Sequence, residues 1–156
     1  TDPEGLPRAM VEAFTYADVA IVEQRVVGTE LAVSVVDTGE GPRALPAVEI
    51  VPTAGVYSFD ARYNAGETTF FAPARLSAEV LGEVEAVAIR AHLELGLRDV
   101  SRVDLIVDTD GTPWFLEANV LPGLTETSLL PLAAQAAGID ASDLYSDLVR
   151  VAIARG

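Results

Sequence analysis

Glu117 and Asn119 stand two residues apart in the run FLEANVLPGLTETSLLP (Phe115 to Pro131), at the end of a strand-like apolar stretch. Side chains of an extended chain alternate faces, so this carboxylate and carboxamide project from the same side. The run RVDLIVDTDGTPWFLEAN reads as two strands around Asp110-Gly111, a two-residue hairpin signal. With those two residues as the loop, Val107 faces Trp114, Ile106 faces Phe115, Asp104 faces Glu117 and Arg102 faces Asn119. One side then carries Val103, Leu105, Val107, Trp114, Leu116 and Ala118, and is the expected core side. The other carries Arg102, Asp104, Ile106, Phe115, Glu117 and Asn119.

Opposed carboxylates on neighbouring strands repel each other. The repulsion becomes useful if a hard cation sits between them, and Mg²⁺ takes oxygen from one or two carboxylates plus substrate phosphates. Asn119 adds a neutral amide oxygen, and Arg102 adds a positive fork for an anionic group. Together they suit metal-assisted phosphoryl chemistry. The pattern alone equally allows a plain solvated hairpin face. Asp108-Thr109-Asp110-Gly111 lacks the closing Glu of a calcium loop and reads as a turn. After Pro122-Gly123, Ser128-Leu129 opens a helix. Ser there is a favoured N-cap, and a helix N-terminus also offers amides and a positive dipole end to a carboxylate. His92, with no Cys and no second His in the chain, reads as a helix-face residue.

These groups must be held by a chain of 156 residues, half of them hydrophobic, which is enough for one globular unit with a core. The formal net charge is −14, and all ten basic residues are Arg. That balance argues against nucleic acid and anionic membrane as partners. Disulfides, thiolate metal sites and Cys nucleophiles are excluded because the chain has no cysteine. No apolar run reaches the roughly 18 residues of a membrane span, and TDPEGLPRAM is no signal peptide. The start lacks Met, so a piece of a longer protein is expected.

Asp2-Pro3-Glu4 reads as a helix start, with Leu6, Met10, Val11 and Phe14 on one face. Residues 18–27 and 29–41 read as strands joined near Gly28, and 44–52 as a third. Residues 53–75 mix Gly, Pro, aromatics and charge without a period, as functional loops do. A helix is expected over 77–95, strands over 102–108 and 113–119, and helices over 128–137 and 142–154. The expected class is mixed α and β, of the α+β type, with no second domain evident in the pattern.

Arg102-Val-Asp104, Asp110-Gly111 and LEANVLPGLTETSLLP together resemble the C-terminal signature of D-alanine–D-alanine ligases, in the ATP-grasp superfamily. The resemblance takes in VEQRVVGTE (22–30) and VYSFDARY (56–63), and so covers almost all of the chain. It implies an ATP-grasp C-terminal domain over 1–156, a mostly antiparallel sheet packed with helices. It makes residues 1–30 the end of the central ATP-grasp subdomain, with the N-terminal domain missing. It implies a cytoplasmic enzyme, a homodimer at full length, joining two D-alanines through an acyl phosphate for peptidoglycan. ATP and Mg²⁺ (or Mn²⁺), as two ions, are the implied cofactors.

Carried over by residue, the resemblance makes Asp104, Glu117 and Asn119 the metal ligands, with Glu117 bridging. Arg102 would stabilise the developing tetrahedral centre and the Gly123 amide would serve as an oxyanion donor. Ser128 and Leu129 would hold the acceptor's carboxylate. Glu23, Gln24, Val26 and Glu30 match the nucleotide edge, with Ile106 as an apolar wall for adenine. On pattern alone Glu23 and Glu30 are equally ordinary solvated residues. Arg62 and Tyr63 match a Lys-Tyr pair on a loop over the site, where the Tyr favours an amine over a hydroxy-acid acceptor.

Departures are Gln24 and Arg62, where the family commonly has Lys, and Arg25, where an apolar residue is common. The phosphate-contacting lysines and the glycine/serine-rich loop have no counterpart. The resemblance therefore implies a C-terminal half that is inactive alone. The alternatives are an ATP-grasp ligase for D-lactate or D-serine, the former disfavoured by Tyr63, and a non-catalytic acidic binding module.

Overall fold

The computed structural model describes residues 3–53 and 67–156. A 3₁₀ turn (Pro3–Gly5) leads into helix α1 (Leu6–Ala13), followed by strands β1 (Gly28–Val36), β2 (Arg43–Ala44), β3 (Val48–Pro52) and β4 (Thr68–Phe71). Helix α2 (Ala78–Glu94), strands β5 (Val100–Asp108) and β6 (Pro113–Asn119), and helices α3 (Leu129–Ala136) and α4 (Ala141–Arg155) complete it. Every strand pairing is antiparallel, in the order β4-β3-β1-β5-β6, with β2 also beside β1. This is the expected mixed class with a mostly antiparallel sheet.

Alternation along the central strands assigns the two faces. Leu31, Val33 and Val35 of β1 and Val103, Leu105 and Val107 of β5 point one way and pack on Val84 and Ala88 of α2. In α2, Val80, Val84, Val87, Ala88 and Ala91 recur at helical spacing, so that stripe is the face laid on the sheet. The helix starts where Ser77 accepts a hydrogen bond from the Val80 amide at 3.3 Å. It stops before Gly96, whose φ of +64° favours glycine. On the second face, α3 and α4 cover one end. There Val36, Leu45 and Val48 pack on Leu130, Ala133 and Ala134 of α3 and Leu144 of α4.

Several local expectations change. Residues 18–27 form no strand: they are irregular, with Val19, Ile21, Val22 and Val27 exposed. Their β pattern finds no partner strand among the described residues, and extended chain without a partner has no ladder to join. The strand expected over 29–41 ends at Val36, and that over 44–52 divides into β2 and β3. Within 53–75, residues 68–71 form β4, an edge strand whose Phe71 pairs with Glu49. Helix α1 buries none of its residues.

The β5–β6 turn also differs, with three loop residues rather than two. The Asp108 amide donates to the Thr112 carbonyl at 3.0 Å, and the Gly111 amide to the Asp108 carbonyl at 3.1 Å. Gly111 takes a φ of +87°, the left-handed position of a three-residue hairpin loop. Near the turn the register is therefore Val107↔Pro113, Ile106↔Trp114 and Leu105↔Phe115. A bulge at Asp104/Leu105 absorbs the extra residue and restores Asp104↔Glu117 and Arg102↔Asn119. Trp114 and Leu116, expected in the core, are exposed as a result, on an edge strand.

His92 is more than a helix-face residue. It is 2% exposed, and its Nδ1 lies 2.8 Å from the Oγ of the equally buried Ser101. Burial pushes the imidazole below its ordinary value, against the pull of the Asp37 and Asp99 carboxylates. The unfolded chain therefore binds this proton more readily. His92 contributes full stability above about pH 6.5, and that contribution is lost as pH falls through the lowered folded value. No other His is present, so this window belongs to one group. Thermal melts of the 156-residue chain should show a midpoint that declines as pH falls below about 6.5. In His92→Leu the midpoint should be lower throughout by about 1–3 kcal/mol of lost stability, because Ser101 loses its partner, and flat across that window. A wild-type midpoint that is flat there would contradict this account.

Candidate functional site

The residues of β1 and β5 that do not face α2 form the floor of a second surface, ordered by register into three rows. The first reads Ile50–Glu30–Ile106–Trp114 across β3, β1, β5 and β6. The second reads Val48–Ala32–Asp104–Glu117, and the third Ser34–Arg102–Asn119. Rows lie two residues apart along each strand, about 6.7 Å. The sequence-predicted Arg102, Asp104, Ile106, Glu117, Asn119 and Glu30 are thus brought onto one face. Ala32 and Ser34, both 1% exposed, are the small residues beside the charged pair. Trp114 joins the first row, which hairpin arithmetic missed. The Asp-x-Asp-Gly spacing was the available signal, because it favours a three-residue loop anchored by the first Asp.

The rows differ in chemistry. The first is largely apolar, an aromatic and two isoleucines around one carboxylate. Asp108 anchors its edge: Oδ1 accepts from the Asp110 and Thr112 amides at 2.9 Å each, and Oδ2 accepts from the Trp114 indole at 2.8 Å. The indole first, and then the turn amides, hold the Asp108 carboxyl below its usual range. In the second row Asp104 is buried and Glu117 exposed, directly opposed. Arg102 bonds Asp104 fork to fork, Nε to Oδ1 at 2.7 Å and Nη2 to Oδ2 at 2.8 Å, with both side chains 11% exposed. The basic group thus offsets the carboxylate that lies most out of water, and leaves Glu117 to solvent.

Does this donor set fit a hard divalent cation? Asp104 and Glu117 supply carboxylate oxygen from adjacent strands, and Asn119 supplies amide oxygen one row away. The Asn119 Oδ1 accepts from the Leu121 amide at 3.0 Å, which orients it and leaves a second lone pair. Among the described residues no cluster of three or more His, Cys, Asp or Glu could hold a metal. Two carboxylates and an amide therefore suit Mg²⁺ or Mn²⁺ sharing its remaining positions with water or phosphate, and do not suit a closed protein cage.

Residues 120–128 connect this face to α3. Pro122 is buried, and a Cβ built on Gly123 would lie 2.5 Å from the Ser128 Oγ and 3.2 Å from its Cβ, so any larger residue at 123 must displace the Ser128 side chain. The Ser128 Oγ makes no cap bond to α3 and instead pairs with the Thr125 Oγ1 at 2.8 Å. The first-turn amides of α3, beginning at Leu129, accordingly receive no side-chain cap from Ser128. Gly123, Ser128 and Leu129 thus lie together at the start of α3. Glu23 and Gln24 lie exposed, and Val26 half-buried, in the irregular segment that enters β1 at Gly28. A Cβ at Gly28 would overlap the Val107 carbonyl oxygen, so that entry requires glycine. Arg62 and Tyr63 lie outside the described residues.

The Gly123–Ser128 contact is testable in this chain. Gly123→Ala should lower stability by about 1–2 kcal/mol. In a Ser128→Ala background the same change should be milder by at least about 0.5 kcal/mol, because the atom in the way is gone. Additive losses in a denaturant-unfolding double-mutant cycle would contradict the contact.

Residues 1–150 match the family model of the D-ala D-ala ligase C-terminus. A D-alanine–D-alanine ligase of Pelotomaculum thermopropionicum is 42% identical over 150 residues, 96% of this chain and 47% of that protein. Among solved structures, the D-alanine–D-alanine ligase from Bacillus anthracis complexed with ATP matches 99% of this chain and 50% of its own, at 28% identity and a TM-score of 0.78. The VanG D-Ala:D-Ser ligase from Enterococcus faecalis matches 95% of this chain and 43% of its own, at 26% identity and a TM-score of 0.82. The chain spans about half the length of the curated relatives it matches. Its antiparallel sheet with helices on both faces is the fold of the corresponding part of these ATP-grasp ligases. With the match running over nearly its whole length, this chain belongs to the D-ala D-ala ligase C-terminus family.

Proposed function

We propose that this chain is the C-terminal part of an ADP-forming D-alanine–D-alanine ligase. Its site face carries the metal and acceptor half of the active site. The observation that carries the reading is the opposed pair Asp104–Glu117, with Asn119 and Arg102 in the next row and Gly123 and Ser128 close by in the following loop. In the reaction, a carboxylate oxygen of one D-alanine attacks the γ-phosphorus of ATP and ADP leaves. The amine of the second D-alanine then attacks the carbonyl carbon, loses a proton, and phosphate departs.

The first row takes the nucleotide, and the second and third share the metal and the reacting centre. Ile106 walls the adenine, Glu30 accepts from the ribose, and Glu23, Gln24 and Val26 border the base. Asp104, Glu117 and Asn119 would hold Mg²⁺ or Mn²⁺, as two ions. When bound, the metal neutralises phosphate charge as it moves in phosphoryl transfer. Arg102 and the Gly123 amide face the negative charge that grows on the carbonyl oxygen. Ser128 and the Leu129 amide receive the acceptor's carboxylate at the positive end of α3.

Arg62 and Tyr63 enter from the family resemblance: Tyr63 favours an amine nucleophile over a hydroxyl. The same reading makes the enzyme cytoplasmic and, at full length, a homodimer. Residues 1–156 make up the ATP-grasp C-terminal domain, with 1–30 the end of the central subdomain and the N-terminal domain outside this chain. Support comes from α1, which buries none of its residues, and from the exposed apolar side chains of 19–27. Among the described residues no helix is long and apolar enough to cross a membrane.

Phosphate release by the full-length protein with ATP and Mg²⁺ tests the reading. Release should depend on D-alanine and yield D-alanyl-D-alanine, with D-serine and D-lactate poorer acceptors. The 156 residues alone should release none. Release that ignores D-alanine would overturn it.

Two substitutions separate chemistry from folding. In the full-length protein, Glu117→Gln should lower kcat more than about a hundredfold. Its effect on stability should stay within about 0.5 kcal/mol, because the side chain is exposed. Asp104→Asn should lose as much activity and also about 2–4 kcal/mol of stability, because Arg102 loses its buried partner. Ordinary turnover in both variants would remove the metal assignment.

A further inference from the structure

The loop over 120–128 is tied mostly to itself. Asn119 holds the Leu121 amide, and the Ser128 amide donates to the Thr125 carbonyl at 2.8 Å. Between these ends stand Gly123 and Leu124, both exposed. Among the described residues, one side-chain bond from a distant element reaches this middle. Tyr145 of α4, 21 residues further along, donates its hydroxyl to the Leu124 carbonyl at 3.0 Å. Its ring packs against the cluster of Leu130, Ala134 and Leu144, so the donor is fixed to the core while the acceptor sits in the loop. Burial pushes the phenol up from its ordinary value, which keeps the donor proton in place at neutral pH.

Leu124 adjoins Gly123 and lies four residues before Ser128. The angle of its carbonyl therefore bears on how the Gly123 amide stands relative to the N-terminus of α3. A Pro-Gly loop has little else to set that angle. Resting on the reading under Proposed function, we propose that Tyr145 is a positioning residue: by holding the Leu124 carbonyl it sets the Gly123 amide and the Ser128–Leu129 amides at the spacing the acceptor requires. Nucleotide contacts lie on the other rows of the face and do not depend on it.

Tyr145→Phe removes the hydroxyl and keeps the ring, so it separates tether from packing. In the full-length protein, kcat/KM for the acceptor D-alanine should fall about tenfold. KM for ATP should stay within about twofold and the thermal midpoint should hardly move. A merely structural role would lower the midpoint and leave kcat and both KM values in place, and that result overturns the proposal. Equal loss toward ATP and acceptor overturns it as well. If the wild-type protein ligates nothing, the reading of its function falls on that alone, and a second measurement on the 156-residue chain decides the tether. In Tyr145→Phe the Thr125 amide resonance should shift and ¹⁵N relaxation should report greater motion over 123–128. Unchanged shifts and relaxation overturn the proposal.

Discussion

Two strands paired in unbroken register, Gly28–Val36 against Val100–Asp108, decide where every other group stands. Alternation sends Leu31, Val33, Val35, Val103, Leu105 and Val107 to α2. It sends Glu30, Ala32, Ser34, Arg102, Asp104 and Ile106 to the opposite face. Slipping both strands by one residue would exchange the two sets. Six apolar side chains at about 1.5–3 kcal/mol each amount to on the order of 10 kcal/mol, comparable with the whole stability of a domain. Core packing therefore enforces the register, and the register places the chemistry. Only β6 needs a further device, the bulge at Asp104/Leu105 that sets Glu117 and Asn119 in their rows.

Charge is handled locally within a chain of net −14. Two other carboxylates are met by fork-shaped arginine pairing. Glu49, 7% exposed, takes Arg75 through three hydrogen bonds, and Arg75 also lies 3.5 Å over the Phe71 ring. Asp99, at a φ of +62°, takes Arg155 from the last turn of α4. Arg102–Asp104 is of the same kind, but among the described residues its neighbour Glu117 takes no arginine and faces solvent. A surplus carboxylate beside a satisfied one, with an amide oxygen adjacent, is what distinguishes this face electrostatically. Repulsion across the strand pair costs about 0.2–1 kcal/mol, small enough for the fold to bear and available to a cation.

Much of this was legible in the sequence, for identifiable reasons. Asp104↔Glu117 and Arg102↔Asn119 follow from alternation and a hairpin centred near Asp110-Gly111. Helices α2, α3 and α4 follow from apolar spacing between caps and glycine stops. What escaped was information held outside the local pattern. The turn takes three residues because Asp108 accepts from two turn amides and the indole, and a bulge then restores the register. The longer turn and the bulge offset each other at Asp104 and Glu117 and do not at Trp114 and Leu116. Residues 18–27 have a strand's composition but no partner strand, and β4 exists because β3 offers it an edge. That Arg102 bonds Asp104 instead of standing ready for an anion depends on two rotamers, which spacing does not specify. Arg62 and Tyr63 rest on the family resemblance.

The central claim is that one face of the β1–β5–β6 sheet is the metal and nucleotide floor of a ligase. Anomalous diffraction from the full-length protein crystallised with ADP and Mn²⁺ tests it most directly. The account predicts manganese at ligand distance, about 2.0–2.3 Å, from carboxylate oxygens of Asp104 and Glu117, with Asn119 as a further ligand, the adenine against Ile106 and the ribose at Glu30. Manganese bound elsewhere, with the Arg102–Asp104 pair undisturbed and Glu117 still in solvent, would contradict it.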